Sequence, residues 1–304
     1  MIRKTFATAA ALVALATAPS LAGAQAVQMD AGDMLEGYYT ALEQRVDLPV
    51  APPSPMLAAD TILTRLAFGS CNSELRDQDI WSVIAGENPQ AFLLIGDNVY
   101  GDTNWTGDAA LSTLRASYAR QSSHPEFQAF RAAMPMLTTW DDHDYGFNDG
   151  GGSFAFKGWA ETIYETYWGS SEEVRSRPGI YKSRMVGPEG RRVQIILLDT
   201  RYFRSDLDRM PYSEERPPLG PYVPTPDTDR TMLGSAQWAW LAQELAKPAD
   251  LRLVVSSIQI LTEAHDYESW EALPHERARL LEMIGGRNGG GVVMLSGDRH
   301  AGGL

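Results

Sequence analysis

One pattern occurs four times in this chain and constrains its fold more than any other feature. An apolar run stops and gives way at once to ionisable side chains. In residues 134–152, MPMLTTWDDHDYGFNDGGG, the run ending at Trp140 meets Asp141, Asp142, His143 and Asp144, with no Lys or Arg among them. Such a stretch repels itself, and in a folded protein a bound metal is the usual compensating charge. The same order appears at Phe92 to Ile95, followed by Gly96, Asp97, Asn98 and Tyr100, and at Val292 to Leu295, followed by Gly297, Asp298 and His300. A weaker case, RLAFGSCN, ends in Gly69, Ser70 and Cys71. Short apolar runs of this kind read as buried strands. Each is therefore a strand end that delivers ligand-type side chains into a loop, where open α/β folds build their sites.

Periodicity fills in the rest. Strands are expected at Ile62 to Phe68, Ala91 to Ile95, Met136 to Trp140, Leu251 to Ile260 and Val292 to Leu295. Ile180 to Met185 and Val193 to Asp199 read as a hairpin across Gly187-Pro188-Glu189-Gly190. Helices are expected at Met34 to Arg45, Ile80 to Ala85, Ala109 to Tyr118, Glu126 to Ala133, Phe154 to Tyr167, Ser235 to Ala246 and Pro274 to Ile284. The alternation argues for a layered α/β fold. A segment with little periodicity and many prolines, Arg201 to Met232, reads as a lid or substrate-facing loop. Residues 27–60 form a helix and Pro-rich connector ahead of a body expected over 61–304.

Composition sets outer limits. The apolar share of 44% supports a substantial core, and a net charge of −13 with no basic run gives no nucleic-acid footprint. Residues 1–26 read as a cleaved signal peptide: Arg3 and Lys4, a short apolar stretch, and A-x-A sites at Ala22 to Ala26. That stretch is too short for a membrane anchor, so the expected location is periplasmic or secreted, by the general or the twin-arginine route. Cys71 is the single cysteine, which excludes an intrachain disulfide. It is either a buried small apolar side chain or a metal ligand. Oligomeric state has no signature.

Asp97, Asp142, Asp298, His300, Tyr100 and Cys71 together supply ligands for two ions. Tyrosinate and thiolate favour an iron-type metal at one position; an all-oxygen set suits calcium, magnesium or manganese at the other. Two metals about 4 Å apart suit phosphoryl transfer to water. Asp141 and Asp144 belong either to this set or to backbone-bonding structure. Gly150 to Gly152 is either a phosphate cradle or a flexible loop. His124, His265 and His275 read as surface or helix-end residues, with His265 the candidate for the site edge. Trp238 and Trp240 read as core. No G-x-S-x-G is present, so a serine hydrolase has no support.

FGSCN, IGDNVYGD, TTWDDHDYGFNDGG, LLDTRYFR, LGSAQWAWL and SGDRH together resemble the PhoD-like metallophosphatases, the alkaline phosphatase D family, from about Arg65 onward. The resemblance implies a two-sheet sandwich flanked by helices, of the calcineurin-like metallophosphoesterase kind. It implies an exported phosphomonoesterase or phosphodiesterase that uses iron and calcium on small phosphoester substrates. It makes Asp97 the bridging ligand, with Cys71, Tyr100 and His300 on the iron-type ion and Asp142 and Asp298 on the second. His143 would face the phosphoryl group, and Arg201 would pair with phosphate through its planar fork. The rival expectation is a secreted metal-binding module without turnover, or an inactive fragment. It is motivated by the end at Leu304, four residues after His300.

Overall fold

The structure is a computed structural model that describes residues 31–211, 219–287 and 289–302. The expected signal segment 1–26, and Pro217 and Pro218 of the long loop, lie outside the described residues. Taken in order, the elements are α1 (Ala31–Glu43), β1 (Leu66–Gly69), α2 (Ile80–Gly86), β2 (Ala91–Ile95), α3 (Ser112–Ser123), α4 (Pro125–Ala133), β3 (Met136–Thr139) and the single turn α5 (Asp142–Tyr145). Then come α6 (Lys157–Trp168), α7 (Glu172–Arg175), β4 (Lys182–Val186), β5 (Val193–Leu197), β6 (Asp208–Arg209), β7 (Tyr222–Val223), α8 (Gly234–Ala246), β8 (Leu251–Ser256), α9 (Pro274–Gly285) and β9 (Gly291–Ser296).

Two sheets face each other. The first has the order β1-β2-β3, all parallel. The second has the order β4-β5-β8-β9, parallel except for the antiparallel β4–β5 hairpin. Alternate residues explain the layering. Leu93 and Ile95 of β2 pack against Ile195, Leu197, Leu253 and Val255 of the second sheet. Phe92 and Leu94, pointing the other way, meet Trp81, Phe127 and Phe130 from α2 and α4. Ile196 and Val254 meet Trp238, Leu241, Leu245 and Leu280 from α8 and α9. Central strands buried on both faces read as continuous apolar runs, not alternating ones. The expected two-sheet sandwich flanked by helices is therefore present, with Trp238 in its core.

Some boundaries move for local reasons. The strand expected from Ile62 begins at Leu66, because the backbone amides of Thr64 and Arg65 bond the Gln90 side chain and not a neighbouring strand. β8 stops at Ser256, whose hydroxyl bonds the Ile258 carbonyl and bends the chain. The Arg201 to Met232 segment carries the β6–β7 ribbon, and its ends are buried at Arg201, Arg204, Met232 and Leu233. Residues expected to precede the body pack into it. Leu42 and Ala51 join the cluster around α6, and Leu57 joins the inter-sheet core.

Register aligns the strand ends. Ile95 pairs with Thr139, and Leu197 with Val255, which pairs with Leu295. The C-terminal ends of β1, β2, β3, β5, β8 and β9 thus open on one edge of the sandwich. Leu93 is fully buried at its centre. Leu93→Ala is expected to cost about 2–5 kcal/mol of stability by urea unfolding; an unshifted midpoint would contradict the inter-sheet packing.

Candidate metal centre

The ends of β1, β2 and β9 turn sharply before presenting their side chains. Cys71, Asp97, Asp298 and His300 all adopt positive φ, at 61°, 49°, 71° and 52°. Non-glycine residues rarely do so, and such strain collects at functional sites. Gly96, with φ 115°, lets the backbone pass where a Cβ would lie 2.7 Å from the Asp141 Cβ and 2.9 Å from the Ser257 Cβ. β1 is tied to β2 here by the Cys71 amide on the Gly96 carbonyl and the Asn72 amide on the Asp97 carbonyl, at 3.2 and 2.8 Å.

These turns bring the sequence candidates together. Ligand atoms of Cys71, Asp97 and His300 lie within 4.8 Å of one another, as do those of Asp97, Asp142 and His143, and those of Asp97, Asp141, Asp142 and Asp298. Asp97 is common to all three groups. The Tyr100 hydroxyl sits 2.8 Å from His300 Nε2, and Cys71 Sγ 3.5 Å from Asp97 Oδ2. Asp298 pairs with its neighbour Arg299 at 2.7 and 3.0 Å.

The electrostatics fit a cation. Asp97 Oδ1, Asp141 Oδ2 and Asp142 Oδ1 are buried and have no hydrogen-bond partner. A buried acceptor left bare is costly, and a bare anion more so. Burial, then the charges of Asp142 and Asp141, pushes the Asp97 carboxyl well above its ordinary range. Burial raises the Cys71 thiol and, with Asp97 next, the Tyr100 phenol. Burial also works to raise Asp142, but Arg201 and His143 outweigh it and leave this carboxyl below its ordinary value. Hard carboxylate oxygens beside an imidazole, a thiol and a phenol are groups that can hold a metal cation.

His143 lies beside this cluster. Its Nδ1 is 2.7 Å from Asp102 Oδ1, and its ring packs on Tyr100 with centroids 4.3 Å apart. Burial disfavours the protonated ring, but the Asp102 bond and the charges of Asp142, Asp102 and Asp141 together outweigh it and raise its pKa to about 9. Asp102 sits inside IGDNVYGD, yet no local spacing ties it to a histidine 41 residues on.

Arg201 lies behind the cluster. Its side chain is fully buried, Nε donates to Asp141 Oδ1 at 2.7 Å, and one amino group pairs with Glu268 at 2.6 Å. Arg204 joins Glu268 at 2.7 Å and donates to the carbonyls of Asp149 and Gly150 at 2.6 and 2.9 Å. The guanidinium expected to meet phosphate is taken up by this network. Gly150 to Gly152 is neither mobile loop nor open cradle: the Gly150 and Gly152 amides bond the Phe147 and Arg204 carbonyls, both at 2.7 Å.

Asp144 is structural: Oδ1 accepts the Asp141 amide at 2.6 Å and Oδ2 the Asn98 amide at 3.2 Å. Asp141 is divided, with Oδ1 on Arg201 and Ser257 and Oδ2 buried without a hydrogen-bond partner. His124 and His275 are fixed on the carbonyls of Glu74 and Arg230 at 2.8 and 2.7 Å. Arg204 and Glu268 had no signal in the sequence, because buried ion pairs leave no periodic trace.

The sequence profile of the PhoD-like phosphatases matches residues 66–149 and 172–303. The chain is similar to "Alkaline phosphatase D" of Bacillus subtilis (strain 168), 25% identical over 331 residues, covering 93% of this chain and 54% of that protein. It is similar in fold to the solved "Structure of PhoD", with a TM-score of 0.62 and 23% identity over 83% of this chain and 53% of that one. The chain therefore spans about half the length of these relatives. The profile match takes in both halves of the sandwich and every strand end that builds the site, and by it the chain belongs to the PhoD-like phosphatase family.

Proposed function

We propose that the chain is an exported, metal-dependent hydrolase of small phosphate esters. The observation that carries this reading is the trio of buried carboxylate oxygens without a hydrogen-bond partner on Asp97, Asp141 and Asp142, with Arg201 at 3.8 Å from Asp142 Oδ1. Family membership and the name of the similar Bacillus subtilis protein support the phosphatase reading. Two ions, of iron and calcium type in this reading, would supply positive charge for phosphoryl transfer to water. Cys71, Tyr100 and His300 would hold the first with Asp97, and Asp142 and Asp298 would hold the second, again with Asp97. Magnesium or manganese fits the same oxygen set.

The side chains around the ions divide the remaining work. Asp102 fixes the Nδ1 edge of His143, which leaves Nε2 to donate a proton to the departing ester oxygen. Arg201 holds Asp141 and Glu268, so its role in this reading is to position the ligand loop, not to touch phosphate. The β6–β7 ribbon reaches the site edge, where the Tyr222 hydroxyl donates to Asp149 Oδ2 at 2.6 Å. Monoester versus diester preference is assigned to that ribbon. Export rests on residues 1–26 of the sequence. Among the described residues no helix is long and apolar enough to cross a membrane.

Asp97→Asn is expected to lose metal by elemental analysis. It should also lose more than about 100-fold in turnover of chromogenic mono- and diesters, since even outer-shell changes at metal sites cost 10–100-fold. Retained metal and activity would remove the bridging assignment. His143→Ala should keep its metal while kcat falls by roughly 10²–10⁴, the usual span for a general acid; metal loss would make His143 a ligand. Arg201→Met should destabilise the fold by about 3–5 kcal/mol in denaturant, because it strands Asp141 and Glu268 as buried charges. A raised KM at unchanged stability would instead show direct contact with phosphate.

A further inference from the structure

Away from the metal centre, the flank where β3 and β4 are edge strands encloses a cavity of about 320 Å³. Its wall carries Arg131, Lys182 and Arg184 and no carboxylate. In a chain of net charge −13, an all-cationic wall is against the average. None of the three is in an ion pair among the described residues. Arg131 donates to the Pro52 carbonyl at 2.7 Å and lies over the Trp168 ring at 5.1 Å. Arg184 donates to the Leu57 carbonyl at 2.7 Å. The Lys182 ammonium lies 5.7 Å from the Tyr164 ring and feels the charge of Glu165 without forming an ion pair with it. The Ser170 hydroxyl on the same wall is buried without a partner.

Cations partly withdrawn from water without a direct ion pair are unfavourable, and a bound anion relieves them. Burial pushes the Lys182 amine down to about 8, with Glu165 opposing and Arg177 adding to the shift. The rest of the wall is apolar, at Leu57, Met136, Trp168 and Val174. A charged head beside an apolar body therefore matches the cavity better than a bare inorganic anion. We infer that this cavity is a second ligand site, which binds a small organic anion through Arg131, Lys182 and Arg184. It shares no residue with the metal centre.

The test is calorimetric titration of the full chain with phenylphosphonate, benzoate and inorganic phosphate. In Asp97→Asn, whose metal centre no longer competes for the phosphonate, phenylphosphonate is expected to bind once per chain, and the Lys182 changes are read in that background. Lys182→Met should weaken it by about 10-fold or more, as loss of a charge-assisted contact does. Lys182→Arg should restore it. Lys182→Met should keep wild-type turnover and melting temperature, which separates a lost site from a lost fold. Benzoate bound with the same dependence extends the head group to carboxylates. No binding of any probe, equal binding by Lys182→Met, or binding abolished by Asp97→Asn would overturn the site. Inorganic phosphate bound as tightly as phenylphosphonate would overturn the role of the apolar wall.

Discussion

Negative charge crowded into a dry space is the constraint on which this molecule depends. Asp97, Asp141, Asp142, Asp144 and Glu268 are all buried near one edge of the sandwich. Water cannot screen them there, so each needs a specific partner. Protein groups satisfy some of them. Backbone amides take Asp144, and Arg201 and Arg204 take Glu268 and one side of Asp141. The oxygens left over belong to the residues that sit nearest one another, and Asp97 is in their midst. The fold thus sorts its acids into those neutralised internally and those left without a hydrogen-bond partner.

That sorting needs backbone as well as charge. Parallel strands from two sheets end in register on one edge, but a strand that simply continued would carry its side chain past the neighbouring sheet. The left-handed residues Cys71, Asp97, Asp298 and His300 turn each chain back over the edge within one step. Sheet packing supplies the rigidity that keeps these strained turns in place.

Much of this was legible in the sequence, for a definite reason. A buried strand announces itself by a run of apolar residues, and a ligand at its end by an abrupt change of chemistry. Cys71, Asp97, Asp142, Asp298 and His300 could all be read that way, and the structure brings them together. Arg201 was visible but its direction was not. A guanidinium beside a site can face the substrate or the scaffold, and only the burial of Glu268, 67 positions later, distinguishes the two. Asp102 and Arg204 stayed hidden likewise, since their partners are remote in sequence. The start of β1 was misjudged because one side chain, Gln90, replaces a strand in bonding the backbone at Thr64 and Arg65.

The Pro-rich strap that follows α1 carries a kinetic consequence. Ser54 bonds the Met134 carbonyl across 80 positions, and the Leu57 carbonyl receives Arg184 across 127. Ala51 bonds the Tyr167 carbonyl at 2.8 Å. Contacts of such separation form only after the intervening chain has been ordered, because loop closure must come first. The strap can therefore finish docking only after the chain has been made as far as β4, and the seam between the two sheets can close only after β8 has followed.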